Sequence, residues 1–531
     1  MLSLLPVFLL LLAAGVVLTL RLRGVNTGVC WLVSVGAALV VWGLTLSLHW
    51  WSPAPLLIEN WLPGGTSAGS MRFEWGRSGW VFAFSLSSLL LATLLTASVR
   101  LMPASPIIWA GGMAVISMGM LAVLAASPMA LILGWTMLDA LELGILLANL
   151  RGARQTAGET TAFSVRVFGT LLVAVAVVIA EAQGQPFTFE QASEPVAILL
   201  LVAAGLRLGV IPLHLPYTDV PLRRGMGTVL RLTISAASLS VLAKVAAVTI
   251  PAAAKGWLLA FLAIAAVYGA GRWFTAQDEL AGRPYFLVVL GSLAVAGAVN
   301  GDPQGALVWG SLLVTAGGLL FLFSIRTVGM RLFPGLALLA LSSLPFTPAA
   351  PAWPGLVGTT WDAADWIFIA TYAVLLAGYA RHSLRAENGF AGQERWVWVT
   401  YPLGIALLTG AAYAALYLGL GTPWLLGAWW ISAPCAVLAV LLLLADWRLR
   451  HSRPETAERM RWAAVVAGRV GGFFSALLSL NWLYRLGMGL FGWIQRLVRF
   501  FTVILEGDGG VLWTLVLLAL LASLVRAGGG G

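Results

Sequence analysis

Charged residues are scarce in this chain of 531 residues. They account for 10% of it, whereas soluble domains have about 25%, and hydrophobic residues account for 60%. A chain so composed cannot cover a water-soluble globule with polar side chains. Apolar runs of ~20 residues, the length that crosses the hydrocarbon core of a bilayer, recur from residue 2 almost to the end. The sequence therefore predicts a membrane protein with no room for a sizeable soluble catalytic domain.

Cysteine and histidine are also rare, with two and four copies respectively. Cys30 and Cys435 both lie in apolar runs, which indicates neither a disulfide framework nor a metal site. The sequence has no cysteine or histidine cluster for an iron–sulfur centre or haem, no glycine-rich nucleotide loop and no spacing that favours a Ser-His-Asp arrangement. These absences predict a chain without cofactor, without metal and without enzymatic activity of its own.

The net charge of +10 comes from arginines in short clusters between apolar runs. That distribution is typical of the positive-inside rule and does not indicate a nucleic-acid partner. Arg21 and Arg23 follow the first apolar run directly, without a cleavage pattern, so this run is predicted to be retained as a span. We expect a multi-pass protein of the cell's inner (plasma) membrane with its N-terminus outside.

The apolar runs predict about sixteen transmembrane helices. They lie near residues 2–20, 29–49, 79–99, 106–124, 128–149, 161–180, 196–214, 227–249, 257–272, 285–300, 304–324, 333–348, 363–380, 397–418, 424–445 and 510–526. Alternate connections are rich in arginine, as the positive-inside rule requires of correctly placed spans. One segment, 471–503, is apolar but carries polar residues along one helical face, which predicts a long lateral amphipathic helix. This helix could anchor at the membrane surface or brace neighbouring helices or subunits, and the sequence alone favours neither.

The segment "GLRLGVIPLHLPYTD", residues 205–219, carries a charge and two prolines beside a long apolar run. Proline lacks an N–H, so Pro212 and Pro216 predict a helix break close to Arg207. Broken helices with charges mark ion or substrate sites in transporters. An intramembrane arginine needs a partner, and the fifth predicted span offers Asp139 and Glu142, which are spaced i and i+3 on one helix face.

These features together resemble the antiporter-like membrane subunits of respiratory complex I (NADH:quinone oxidoreductase), particularly the largest one. They are also similar to Mrp-type sodium/proton antiporters and to proton-coupled inorganic-carbon uptake complexes. In that family a lysine lies five residues before the proline of a Pro-Leu/Phe-His motif, which Trp-Leu-Pro-Asp-Ala follows. Arg207 takes the place of the lysine, Pro212, His214 and Asp219 match the motif, and Pro216 replaces the tryptophan.

The resemblance implies an all-α polytopic fold with two inverted five-helix repeats, each with a broken helix. The chain then divides into N-terminal helices 1–105, a first antiporter-like repeat 106–250, a second repeat 251–381 with few charges, two further helices in 382–446, a basic cytoplasmic linker 447–470, the lateral helix 471–503 and a final span 510–526. The family carries a lysine at mid-membrane in the second repeat, but residues 305–324 contain no charged side chain. Independent pumping by this chain is therefore not assured by the resemblance.

A proton path through the first repeat is predicted from its charges. Two carboxylates facing Arg207 would carry a net charge of −1, which is costly in low dielectric, so one of them is expected to hold a proton. Arginine itself gives up no proton at any working pH. His214 could relay a proton or simply stabilise the helix break. Arg231 lies near the position of a family histidine, and Lys244, near the outer end of its span, could join the path or extend to the interface.

Two main functions stay open on this reading. The chain is a proton-translocating subunit of a complex I-like or Mrp-like assembly, or a degenerate structural subunit of such a complex without its own transport. A proton-coupled subunit of an inorganic-carbon uptake complex is a third possibility. In each case the expected partners are other membrane subunits, the lipid bilayer and protons or sodium. Any NADH or quinone redox chemistry would lie in partner subunits.

Overall fold

The structure, a computed structural model, is described for residues 2–451 except 60–69, 100–104, 150–152, 185–187, 190–191, 216, 218–223, 246–249, 355, 358–362, 386–388 and 422–424, and for a few positions after 488. Fifteen α-helices occupy the part so described. They are α1 (Leu5–Leu22), α2 (Thr27–Ser47), α3 (Arg77–Thr96), α4 (Pro106–Leu124), α5 (Pro128–Asn149), α6 (Ala153–Ala182), α7 (Glu194–Leu208), α8 (Gly225–Leu242), α9 (Ala252–Thr275), α10 (Glu279–Val299), α11 (Pro303–Leu322), α12 (Leu332–Leu341), α13 (Ala363–Ser383), α14 (Val397–Leu420) and α15 (Trp429–His451). A short antiparallel hairpin, β1 (Leu56–Ile58) and β2 (Met71–Phe73), lies between α2 and α3.

The fold class predicted from the sequence is confirmed: the chain is an all-α polytopic membrane protein. Among the described residues, 13 helices are long and apolar enough to cross a membrane. Helices are stable in the lipid interior of a membrane because they satisfy their own backbone hydrogen bonds. Helices α7 and α12, with 15 and 10 residues, are too short to span and end beside irregular chain. The total of sixteen spans, the two inverted repeats and the domain boundaries stay predictions.

The interior of the bundle is formed by α3, α8 and α11. The apolar windows of α8 and α11 are entirely buried within the protein, whereas only 22% of the window of α15 is buried. Helix α3 packs against α8, α11 and α14, and α4 packs against α8. Helices α5, α6, α7 and α8 carry six charged residues that are buried within the protein: Asp139, Glu142, Glu159, Arg166, Arg207 and Arg231. This arrangement places their charged side chains away from lipid.

The sequence predicted that this span continues to residue 214, but helix α7 ends at Leu208. Gly209 follows with φ of +77°, a left-handed conformation that glycine adopts at little cost and that commonly closes helices. The prediction was wrong in its cause, since the glycine ends the helix three residues before Pro212. The irregular chain then turns, with the His214 N–H donating to the Gly209 carbonyl at 2.9 Å. The break itself lies beside Arg207, as expected.

A second break follows α12, where the sequence is dense in proline. Ser343 and Phe346 adopt positive φ values of 57° and 64°, and the Phe346 N–H donates to the Leu425 carbonyl at 2.9 Å. These two residues lie in an irregular segment that returns the chain toward α13.

The chain divides by its contacts into two compact units, Met1–Met460 and Arg461–Gly531. Helices α1 to α15 all lie in the first unit. The predicted linker 447–470 lies largely outside the described residues. The predicted lateral helix 471–503 and final span 510–526 also lie outside them, apart from a few positions.

Candidate ion-pair network

The two carboxylates predicted on α5 face the protein interior. Asp139 and Glu142 are 1% and 0% exposed. Asp139 accepts two hydrogen bonds from Arg207, with Nη1 to Oδ2 at 2.6 Å and Nη2 to Oδ1 at 2.9 Å. The predicted pairing of Arg207 with the α5 carboxylates is therefore present in the geometry, and the partner is Asp139.

Glu159 and Arg166, both on α6, also belong to this site, and the sequence analysis did not predict either of them. Arg166 donates from Nε to Asp139 Oδ1 at 3.2 Å and from Nη2 to Glu142. Arg231, on α8, donates to Glu142 at 2.5 Å and to Glu159 Oε1 at 2.9 Å. We call these six residues the charge network: Asp139, Glu142, Glu159, Arg166, Arg207 and Arg231.

The sequence does contain a signal for Glu159 and Arg166. Arg166 lies within the predicted span 161–180, and a charge inside a span needs a partner. Glu159 lies seven residues before it, two helical turns along the same face. Spacing alone could have placed both residues on one side of α6, but it could not show which neighbouring helix this side contacts.

The charge network is balanced. Three carboxylates alternate with three guanidinium groups in the order Glu159, Arg231, Glu142, Arg166, Asp139, Arg207. The predicted net charge of −1 counted two carboxylates and one arginine, whereas the structure brings together three of each. A resident proton is consequently not required to neutralise the site.

Arg207 is held on every side. Its guanidinium carbon lies 4.2 Å from the Trp135 ring centroid, and Nε donates to Ser238 Oγ at 3.2 Å. Nη1 also donates to Thr170 Oγ1 and to the Arg166 carbonyl, both at 3.2 Å. A β-carbon at Gly169 would lie 2.9 Å from Arg207 Cγ, so this glycine allows α7 to approach α6. The fixed cation thus links α5, α6, α7 and α8.

The other residues predicted for the path lie outside the charge network. His214 is buried, but its Nδ1 lies 2.8 Å from the Pro212 carbonyl, and none of the described hydrogen bonds joins it to the network. Lys244 lies beyond the end of α8 and donates from Nζ to the carbonyls of Val123 and Ala125, both at 2.6 Å. Pro212 is exposed, and Pro216 lies outside the described residues.

Two cavities lie at opposite ends of these helices. The cavity that we call inner, after the orientation expected from the sequence, has a volume of about 460 Å³. It is at the arginine-rich side, between the end of α9, the start of α10 and Tyr217. The outer cavity, about 720 Å³, is at the opposite side, among the first residues of α3, α5 and α11, with Lys244 in its wall. At 1.5 Å per residue, Leu242, the last residue of α8, is roughly 6 Å along the helix from Ser238, and Lys244 follows two residues later. Leu131, Val173 and Leu242, which lie toward this end of α5, α6 and α8, are buried.

Aromatic side chains pack at the middle of α11, in the second predicted repeat. Trp309 on α11 packs against Tyr372 and Trp353, with ring centroids 5.1 Å and 6.0 Å away. Ser311 lies 3.1 Å from Ser85 Oγ, and Thr315 donates to the Ser311 carbonyl at 2.8 Å. These hydroxyls bond to α3 and to their own turn, and α11 itself contains no charged residue.

One buried carboxylate connects the two halves near the arginine-rich side. Glu279, at the start of α10, pairs with Arg224 and Arg326, each at 2.9 Å. Arg224 immediately precedes α8, and Arg326 follows α11. Glu279 therefore links the start of α8 to the end of α11 electrostatically, so a movement of Arg224 would change the environment of Arg326.

The fold and the charge network define a class: a multi-pass helical membrane protein with an interrupted helix beside a buried ion-pair network. Within the described residues, no group of three or more His, Cys, Asp or Glu side chains is arranged to hold a metal ion. No family model matches the sequence, and a search of curated proteins finds no significant relative.

Solved structures share the fold of this chain. A chain of the Mrp complex from Dietzia sp. DQ12-45-1b is 17% identical, with a TM-score of 0.61, over 92% of this chain and 63% of its own length. A chain of the membrane-bound sulfane sulfur reductase, an archaeal respiratory membrane complex, is 13% identical, with a TM-score of 0.62, over 98% of this chain and 99% of its own. A chain of respiratory complex I from Thermus thermophilus is 18% identical, with a TM-score of 0.57, over 83% of this chain and 99% of its own. This chain thus spans less than two thirds of the length of the Mrp chain that it matches.

Proposed function

We propose that this chain is a proton-translocating, antiporter-like membrane subunit of a hetero-oligomeric assembly, and that the charge network carries the proton. The observation that supports this proposal best is the unbroken alternation of buried carboxylates and guanidinium groups across α5, α6 and α8, beside the break of α7. Similar chains come from the Mrp complex and from respiratory membrane complexes, which supports other membrane subunits as its partners. We place it in the inner (plasma) membrane with its N-terminus outside, and assign any redox chemistry to partners.

The proton carriers in this proposal are the carboxylates, because arginine does not deprotonate at any working pH. Glu142 is shared between Arg166 and Arg231. A proton on Glu142 would give the network a charge of +1, which low dielectric disfavours. Loading a proton therefore requires one ion pair to open, so that transport and rearrangement of the network occur together.

Proton flux in the reconstituted complex tests this proposal. Glu142→Gln and Asp139→Asn keep the shape of each side chain but remove its titration, and we expect each to abolish flux while the complex still assembles. Glu181→Gln is the matched control, since Glu181 lies exposed at the outer end of α6 and should leave flux unchanged. Unchanged flux in both network variants would show that the network carries no proton.

A structural role is the second candidate. The balanced network and the charge-free α11 favour it, because a saturated set of ion pairs can connect helices without exchanging protons. Under this alternative, deleting residues 471–526 dissociates the complex, whereas Glu142→Gln and Asp139→Asn cost no activity of the assembly. Loss of activity on neutralisation, with assembly intact, counts against it.

A further inference from the structure

Tyr217 separates the inner cavity from the charge network. Its side chain is 5% exposed, and it lines the cavity together with Leu215, Arg272 and Tyr285. On its other side the ring lies over Arg231, whose guanidinium carbon is 4.1 Å from the ring centroid. Arg231 is the network member that contacts Glu142 and Glu159. One aromatic ring thus contacts both the cavity and the network.

The tyrosine is held in this position by a neighbouring helix. Arg283 on α10 donates from Nε to the Tyr217 hydroxyl at 3.2 Å and from Nη1 to Thr228 Oγ1 at 3.2 Å. The cationic groups facing Tyr217 are therefore Arg231 and Arg283, with Arg272 further along the cavity wall. Because α10 packs on α7, α8 and α11, a shift of α10 would move the hydroxyl's partner.

We propose that Tyr217 is the inner gate of the first repeat: its ring closes the passage between the inner cavity and the Arg231 end of the charge network, and opens when Arg283 releases its hydroxyl. The proposal rests on the proposed function for its cargo, water and protons. The gate itself is a property of access, so it can be measured without measuring flux.

Thiol labelling tests the gate in the full-length chain, because Cys30 and Cys435 are both buried and can be replaced by alanine to give a cysteine-free background. The reporter is Ser235→Cys on α8, one turn beyond Arg231, where the native side chain is 6% exposed. Thr275→Cys, in the exposed wall of the inner cavity, reports whether the reagent reaches the cavity. The probe is a small water-soluble methanethiosulfonate, and the labelled fraction is read by mass spectrometry.

We expect Thr275→Cys to react quickly and Ser235→Cys slowly while Tyr217 is present. Minor states of proteins are commonly populated at about 0.1–10%, so removing the ring by Tyr217→Ala should raise the labelling rate of Ser235→Cys by about tenfold or more. Tyr217→Phe keeps the ring but loses the Arg283 bond, and should give a smaller rise. Tyr285→Ala is the matched control: it removes another aromatic ring from the same cavity and should leave Ser235→Cys protected.

Equal labelling of Ser235→Cys with Tyr217 and with Tyr217→Ala would overturn the gate, and so would an equal rise with Tyr285→Ala. If Tyr217→Ala does not fold, Tyr217→Leu replaces it, and the same comparison applies. Failure of the proposed function looks different: labelling then depends on Tyr217, while Glu142→Gln leaves proton flux unchanged. Conversely, flux that depends on Glu142 with labelling insensitive to Tyr217 rejects the gate alone.

Discussion

Arg207 and Asp139 form a two-pronged ion pair inside the bundle, with nitrogen–oxygen distances of 2.6 Å and 2.9 Å and both side chains at most 1% exposed. Removing one partner of a buried pair leaves a charge without compensation, whereas replacing both by apolar residues of similar volume is often tolerated. Single and double variants therefore distinguish the destabilisation caused by an unpaired buried charge from the net contribution of the ion pair to stability.

We expect Asp139→Leu to destabilise the protein by about 3–5 kcal/mol, because it leaves the buried Arg207 without a carboxylate. Arg207→Met should cost less, because Asp139 keeps its ion pair with Arg166. The double variant should be more stable than the sum of the two single losses predicts. Unfolding of the detergent-solubilised protein, followed by tryptophan fluorescence, measures all three. Additive losses would contradict direct pairing of Arg207 with Asp139.

Gly134 lies where α5 approaches α4 most closely. A β-carbon there would lie 2.7 Å from the Ala122 Cα, a backbone atom that cannot rotate away. Gly134→Ala should therefore force the two helices apart and cost about 1–3 kcal/mol, as overpacking does. Gly144 on the same helix has no atom within 4 Å of such a carbon, so Gly144→Ala should be neutral or stabilise the helix. Equal stability changes in the two variants, measured by the same unfolding assay, would show that this approach is not constrained.

We expect Lys244 to make folding stability depend on pH. Burial lowers the pKa of its amine to about 7, and Glu74 opposes this shift only in part. Between the unfolded pKa of 10.5 and about 7, the unfolded chain binds a proton at Lys244 that the folded chain does not. The contribution of Lys244 to stability therefore falls as the pH is lowered through this window and does not change below it. Lys244→Arg keeps the hydrogen-bond donors but does not titrate, so it should remove this component. The measurement is the free energy of unfolding from pH 7 to pH 10, and parallel curves for the two proteins would contradict the assignment.

The hydroxyls of α11 should be dispensable for transport. Ser311 and Thr315 bond to Ser85 and to their own helix rather than to any charged group. We expect Ser311→Ala and Thr315→Ala to retain the full proton flux of the reconstituted complex, in contrast to Glu142→Gln. A loss of flux comparable to that of Glu142→Gln would indicate a second path through this half.

The sequence predicted the fold well, because span length and charge alternation are local properties. Each of the first fifteen predicted spans overlaps a helix of the structure, and the position of the α7 break was found within a few residues. The proline was credited for a break that Gly209 makes, since a positive φ leaves a weaker pattern in sequence than a proline does.

The charge network could be predicted only in part. Asp139, Glu142 and Arg207 stand out as charges inside apolar runs, and their grouping followed from the need to pair them. Glu159 and Arg166 were missed because their roles depend on the rotation of α6 against α5 and α8, which no local pattern reveals. Without them, the ionised site was predicted to carry a net charge of −1 and to need one proton. With them, and with Arg231, the net charge is zero.

The balance of the charge network also determines how it responds to the transmembrane voltage. One elementary charge crossing 100 mV gains or loses ~2.3 kcal/mol. Because the three cations and three anions are interleaved, the field exerts opposing forces on them, and a movement of the whole network as one body transfers no net charge. Under the proposed function, the transmembrane voltage therefore does net work in each transport cycle only on the added proton.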